Sequence, residues 1–243
     1  MKILSIISLS IVFLIGCNQA QTSNNNTTGE KEKVSETNEM VLHVLADTVF
    51  TFNNCEKGKI PAGWSQYFTG KGTGTEWQIT DDNGNKVLAQ LSDDNPNYHF
   101  NVIVYDGMEM KDAELEVRIK GVAGRMDQGG GFVWRFTDAD NYYVVRANPL
   151  EDNVVLYKVE NGKRTDLPLL GKGRTYGMDV KPLGSGWNTL KLTVRNDLFT
   201  VYLNGEELFQ VKDETFKNAG KIGLWTKADA VSYFDDFQVA SMK

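Results

Sequence analysis

The amino-acid sequence predicts an all-β protein, an antiparallel two-sheet jelly-roll sandwich, and three observations predict it. From about residue 47 onward, apolar residues recur with the two-residue period of strands rather than the period of helices. Turn-forming pairs such as Asn161-Gly162, Asn196-Asp197 and Asn204-Gly205 punctuate that pattern at short intervals. No segment carries a long helical pattern; a single helical turn is expected near residues 213–218. Roughly 200 of the 243 residues fall in this region, enough for one domain that buries a core without staples.

In chain order, Met1-Lys2 supplies a short positive start. Residues 3–15 are an apolar run, too short to span a membrane and of the length of a signal-peptide core. The run ends Leu14-Ile15-Gly16-Cys17, which resembles the lipobox of bacterial lipoproteins. That resemblance implies cleavage before Cys17 and lipid on Cys17, so residues 1–17 are expected to be a signal ending in a lipidated cysteine. Several acyl chains anchor a protein firmly, and the anchor would be its only contact with the membrane. The implied location is the bacterial cell envelope; Asn18, in place of an aspartate, favours the outer membrane where there are two. Residues 18–46 hold Asn24-Asn25-Asn26-Thr27-Thr28 and then Gly29-Glu30-Lys31-Glu32-Lys33, with no aromatic residue. Such a segment buries too little apolar surface to offset its ordering entropy, and is expected to be a disordered tether. Cys17 and Cys55 are the only cysteines. With lipid on Cys17, Cys55 reads as a free thiol, with pairing to another molecule as the alternative.

The domain is expected over residues 47–243. Asp112 to Lys120 alternates strictly, placing Ala113, Leu115, Val117 and Ile119 inside and Glu114, Glu116, Arg118 and Lys120 outside. Further strands are read at Gly131–Phe136, Tyr142–Arg146, Val154–Lys158, Thr189–Arg195, Leu198–Leu203, Glu206–Val211, Lys221–Trp225 and Val231–Val239. Asn196-Asp197 joins two of these as a tight hairpin, because both residues tolerate positive φ. Trp64, Trp77, Trp187 and Trp225 are expected in the core rather than as sugar platforms. A net charge of −6 with both signs interspersed argues against nucleic acid, which demands a concentrated basic face.

The order of these pieces carries a resemblance. Pro61-Ala62-Gly63-Trp64, Gly74-Thr75-Glu76-Trp77, Gly129 to Arg135, Asp140 to Arg146, Trp187-Asn188-Thr189-Leu190, Val201 to Gly205, Gly220 to Trp225 and Tyr233 to Phe237 follow one another as in known domains. The chain resembles the concanavalin-like, laminin-G-like jelly rolls of secreted bacterial proteins, most of all the branch grouped with the 3-keto-disaccharide hydrolase domain. The resemblance covers about residues 47–240 and implies a ligand groove on the concave sheet face. It implies a glycan or oligosaccharide as partner, bound or processed there. A hydrolase acting on 3-keto-disaccharides is the enzymatic alternative, and a non-enzymatic adhesion or protein-interaction module is a third reading, since one fold hosts many functions. Many related sandwiches hold a structural Ca2+ between the N-terminal and last strands. Asp235-Asp236 are the nearest carboxylates here, but no loop has the dense Asp/Asn spacing of an EF-hand.

Candidate site residues follow from side-chain parity. If Phe132, Trp134 and Phe136 face the core, Arg135 faces out. If Tyr143, Val145 and Ala147 face the core, Tyr142 and Arg146 face out. The turn at residues 138–141 would bring both arginines onto one sheet face near Tyr142, where they could be replaced without loss of stability. Guanidinium forks bond vicinal hydroxyls or a carboxylate, and a tyrosine stacks on a sugar ring. Glu151 and Asp152, in the loop after Arg146, would add polar groups to the rim and are the nearest approach to a catalytic base. Glu114-Leu115-Glu116 lacks the further carboxylates of a jelly-roll glycosidase strand and reads as a solvated face. His43 and His99 are the only histidines, and no Gly-x-Ser-x-Gly elbow or zinc spacing occurs, which argues against acyl transfer and zinc hydrolysis.

Overall fold

The structure, a computed structural model, describes residues 12–16, 19–20 and 47–242. Cys17 and nearly all of the expected tether lie outside the described residues, and with them the lipidation expectation. Every regular element among the described residues is a strand. In chain order these are β1 (Val12–Gly16), β2 (Gln19–Ala20), β3 (Asp47–Phe50), β4 (Trp64–Gly70), β5 (Trp77–Asp82), β6 (Asn85–Gln90), β7 (His99–Met110), β8 (Ala113–Ala123) and β9 (Gly130–Asp138). Then follow β10 (Asn141–Asn148), β11 (Asn153–Glu160), β12 (Lys163–Asp166), β13 (Met178–Asp179), β14 (Asn188–Arg195), β15 (Leu198–Leu203), β16 (Glu206–Lys212), β17 (Gly220–Lys227) and β18 (Val231–Ser241).

They form two sheets. The first runs β16-β15-β14-β8-β18-β3-β1-β2, with the β5-β6 hairpin also attached to β18; the second runs β12-β11-β10-β9-β17-β7-β4, with β13 beside β11. Pairing is antiparallel throughout except between β1 and β3. The strands read at Asp112–Lys120 and between Gly131 and Val239 fall where the period-two reading places them, and β8 alternates buried and half-buried residues from Ala113 to Gly121 as expected. The helical turn expected near residues 213–218 is not formed. Asp213 accepts from the Tyr143 hydroxyl (2.5 Å) and from the Thr215 N–H (2.8 Å), and these bonds hold the segment in an irregular path.

Between the sheets lies the main core, built from Leu115, Val117, Leu190, Leu192, Phe234 and Phe237 of the first sheet and Ile103, Phe132, Trp134, Tyr143, Val145, Leu156 and Leu224 of the second. Trp64 and Trp77 belong to it, whereas Trp187 is half-buried beneath the Arg118 guanidinium (4.9 Å) on the outer face of the first sheet. Cys55, 3% exposed, is disulfide-bonded and packs in this core, which corrects the free-thiol expectation.

A second apolar cluster occupies the opposite face of the second sheet. Phe100, Val102, Val104, Val133, Phe136, Tyr142, Val144, Val155, Tyr157, Val159 and Trp225 are each at most 3% exposed. The cause is the curl of the sheet. β4 and β10 are four places apart, which in a flat sheet is about 19 Å. Yet the Tyr142 hydroxyl donates to Thr69 Oγ1 at 2.8 Å, and Thr69 in turn donates to the Ala139 carbonyl. At the neighbouring corner the Tyr98 hydroxyl donates to the Gly162 carbonyl (3.0 Å) and accepts from the Arg164 N–H (3.0 Å). Tyr67 packs on Phe136 at 5.2 Å. Opposite corners of the sheet thus meet, and its own side chains fill the hollow.

Candidate functional site

The curl decides where a ligand can reach. The middle of the expected groove is sealed, and its accessible polar part is one end, where the loops at residues 124–129, 149–152 and 167–177 gather around the ends of β10, β11 and β17.

Arg146 is at the centre of that end. Parity puts it on the outer face of β10, as expected, but its side chain is only 2% exposed. One terminal nitrogen donates to the Asn153 carbonyl (3.2 Å) and to Asn153 Oδ1. The other is shared among Glu151 Oε2 (2.7 Å), the Tyr157 hydroxyl (3.2 Å) and the Tyr176 hydroxyl (3.3 Å). The Tyr157 hydroxyl donates to that of Tyr176 at 2.8 Å. Burial by itself lowers the affinity of Arg146 for its proton; the facing Tyr157, Asp127 and Glu151 more than offset it and raise the pKa. Burial, against the pull of Arg146 and Arg164, pushes the Tyr157 phenol well above its usual range. Arg146 therefore organises groups that face solvent: Tyr176 is 53% exposed, and the Glu151 side chain 39%.

The floor beside Arg146 is glycine. A Cβ on Gly131 would lie 1.8 Å from the Val145 carbonyl oxygen, so only glycine lets β9 run this close to β10. At Gly129 a Cβ would meet Asp127 Oδ1 at 2.8 Å. Asp127 accepts from the Gly129 N–H (2.7 Å) and pairs with Lys227 (3.3 Å). Its loop is held by the Asp229 carboxylate, which accepts from the N–H groups of Arg125, Met126 and Asp127 at 2.7–3.1 Å. Burial would raise the Asp229 pKa, but those three donors hold it below the usual carboxylate range. Arg164 completes the rim, its guanidinium carbon 4.4 Å from the centre of the Tyr157 ring, 4.7 Å from Phe100 and 5.8 Å from Trp225.

The other expected site residues lie elsewhere. Tyr142 is fully buried in the seam with Thr69, and burial pushes its phenol far above the usual range. It has no ring face to offer a sugar. Arg135 does not share a face with Arg146. It takes a left-handed φ of 48°, a bulge that puts Trp134 and Arg135 opposite the single residue Ile222. The bulge flips the parity, sending Phe136 into the outer cluster and Arg135 towards the first sheet. There Arg135 donates to the carbonyls of Lys111 (3.0 Å), Phe216 (2.7 Å) and Asn196 (2.5 Å). It floors a cavity of about 220 Å3 lined by carboxylates and lysines alike, and it also pairs with Asp112 at 3.5 Å. Asp152 turns away from the mouth; its carboxylate accepts from the Leu183 N–H (3.0 Å) and its carbonyl from the Val180 N–H (2.8 Å). Of the expected set, Arg146 and Glu151 are brought together, and Tyr142, Arg135 and Asp152 are not. Asp127, Tyr157, Arg164, Tyr176 and Lys227 join the site without having been singled out; parity within Val154–Lys158 already put Tyr157 on the face of Arg146.

The carboxylates nearest to where related sandwiches hold calcium have protein partners. Asp235 accepts from the Asn85 amide (2.7 Å), and burial raises its pKa; Asp236 pairs with Arg118 (3.1 Å). Among the described residues no group of three or more His, Cys, Asp or Glu side chains is placed to hold a metal ion. Glu114 pairs with Lys191 (2.7 Å) on a solvated sheet face, as expected.

Residues 47–240 match the family described as the 3-keto-alpha-glucoside-1,2-lyase-like domain. No curated protein matches the chain. Among solved structures, the carbohydrate binding module CBM66 from Bacillus subtilis is similar at 22% identity and a TM-score of 0.54, over 74% of this chain and 96% of that one. Domain 4 of a GH43 extracellular arabinanase from Geobacillus stearothermophilus is similar at 15% identity and a TM-score of 0.47, over 79% and 90%. A Bacillus subtilis protein of unknown function with a galectin-like fold is similar at 12% identity and a TM-score of 0.48, over 74% and 90%. The first of these likenesses shows the jelly-roll sandwich fold.

Proposed function

The chain belongs to the 3-keto-alpha-glucoside-1,2-lyase-like domain family, and from that premise we propose that it binds or processes carbohydrate at the mouth around Arg146, as a lipoprotein of the bacterial cell envelope. One observation carries the site: an exposed Tyr176 ring is pinned by Arg146 and Tyr157, with the Glu151 carboxylate on the same guanidinium. A ring of this kind stacks on a sugar face, and the carboxylate accepts from sugar hydroxyls. Pinning lowers the ordering cost of binding. The test is retention of the protein on immobilised glycans. Tyr176→Ala removes retention while the melting temperature stays close to that of the wild type; unchanged retention rejects the site.

Elimination on a 3-keto-glycoside is the second reading, favoured by the family and by a solvent-facing Glu151 beside a buried cation. Glu151 would take the proton from the carbon next to the ketone, the electron pair would move to the ketone oxygen, and the glycosidic C–O bond would break from the enolate, its oxygen leaving with a proton. Incubation with a 3-keto-disaccharide, with and without EDTA, separates catalyst from binder. Glu151→Gln abolishes turnover on this reading.

Envelope anchoring through Cys17 rests on the Leu14-Ile15-Gly16-Cys17 signature. Lipid on the Cys17 sulfur excludes a disulfide at that atom. Mass measurement of the chain extracted from cells, before and after reduction, distinguishes an acylated Cys17 from a disulfide-linked one.

A further inference from the structure

Two cations at the mouth are neutralised by carboxylates beside the sheet ends. Arg146 pairs with Glu151 at 2.7 Å and Lys227 with Asp127 at 3.3 Å. Arg164 has no such partner: among the described residues no carboxylate lies within 4.0 Å of its guanidinium and no acceptor bonds it. The nearest carboxylate along the chain, Asp166, pairs with Arg174 at 2.8 Å. What holds Arg164 instead is aromatic, the rings of Tyr157, Phe100 and Trp225 within 4.4–5.8 Å. Rings attract a cation through their quadrupoles and consume none of its N–H donors. The side chain is half-buried, and its main-chain N–H is fixed on the Tyr98 hydroxyl. The result is a held guanidinium with a free donor fork, on the Tyr157 ring that also packs at 6.1 Å on the exposed Tyr176 ring, in a chain whose net charge is −6.

A free fork of this kind fits a planar anion that accepts two parallel N–H bonds. Neutral hydroxyls bond a guanidinium more weakly than a carboxylate does. The geometry points to a carboxylate-bearing sugar, a uronate, as the ligand class of this mouth, its carboxylate on Arg164 and its ring against Tyr176. This rests on the carbohydrate reading given above and narrows it.

Calorimetric titration of the whole chain tests the inference, with oligomers of galacturonate and of glucuronate, each beside its carboxyl-reduced counterpart, at low and high salt. At least one acid form binds about tenfold more tightly than its reduced form, and salt narrows the gap. Arg164→Gln erases the gap between the acid and reduced forms. Arg164→Lys, with charge but no fork, keeps only part of it. Equal affinity of acid and reduced forms in the wild type overturns the inference and leaves the carbohydrate reading standing, as does a gap undiminished in Arg164→Gln. Binding of none of these oligomers, together with no turnover of a 3-keto-disaccharide, overturns both. The wild-type comparison needs no substitution, so a variant that fails to fold does not obscure the outcome.

Discussion

At the residue scale, the difference between a side chain that touches a ligand and one that positions it is set by burial. Arg146 is a positioning residue. Replacing it with methionine keeps its bulk but leaves Glu151, two phenols and the Asn153 carbonyl short of a donor in a buried setting. The expected cost is about 3–5 kcal/mol of stability, read as a shifted denaturation midpoint, in contrast to the loss-free replacement that an exposed arginine allows. Asp229 makes a prediction about acid. Its folded-state pKa is lowered, so its contribution to stability is present above the unfolded value of about 3.9 and is lost as pH falls through the folded value. Protection of the amides at residues 125–127, taken relative to their intrinsic exchange rates, therefore falls below about pH 4, and Asp229→Asn costs about 1–3 kcal/mol at neutral pH by removing one acceptor oxygen from three donors. Arg146 and Glu151 are legible in the sequence because five residues and one hairpin loop separate them. Tyr176 and Arg164 are not, because they come from loop and edge segments that no period ties to β10.

At the element scale, alternation locates strands well and assigns faces only while it stays unbroken. β8 keeps its period and its faces are read correctly. β9 loses it at Arg135, and no glycine or proline marks the spot. Arg135→Gly relieves the left-handed strain but gives up three main-chain bonds, the pair with Asp112 and the contact with Phe199. The bonds dominate, and a net loss of about 2 kcal/mol in thermal denaturation is the expected outcome; a stabilised variant would mean that they contribute little. Gly131→Ala is harsher, since its new carbon meets backbone at 1.8 Å. It should cost about 3 kcal/mol and, by pushing β9 from β10, weaken glycan binding as well. Strands buried on both sides read as continuous apolar runs, as β9, β10 and β11 do. That signal was available, and it announces a covered outer face rather than an open groove.

At the scale of the whole molecule, the two-sheet sandwich is legible from composition, turns and period, and the corner-to-corner closure is not. Closure depends on how far the second sheet coils, which sums small twists over many strands and leaves no mark at any single position. Its hydrogen bonds are nonetheless testable. Tyr142→Phe removes the hydroxyl that reaches Thr69 and should lower stability by about 1 kcal/mol, with the sandwich signature in circular dichroism unchanged.

The meeting of those corners gives the protein two apolar compartments that share one sheet as a party wall. The inner compartment is clamped between two sheets, whereas the outer one is latched by a few contacts around Thr69, Tyr98, Ala139 and Gly162. Such a latch can release without the wall giving way, so the outer compartment should breathe on a shorter timescale than global unfolding. Its amides would then be the first in the sandwich to take up deuterium, and a sugar resting on Tyr176 and Arg164, whose N–H is bonded to Tyr98 of that latch, would slow that uptake.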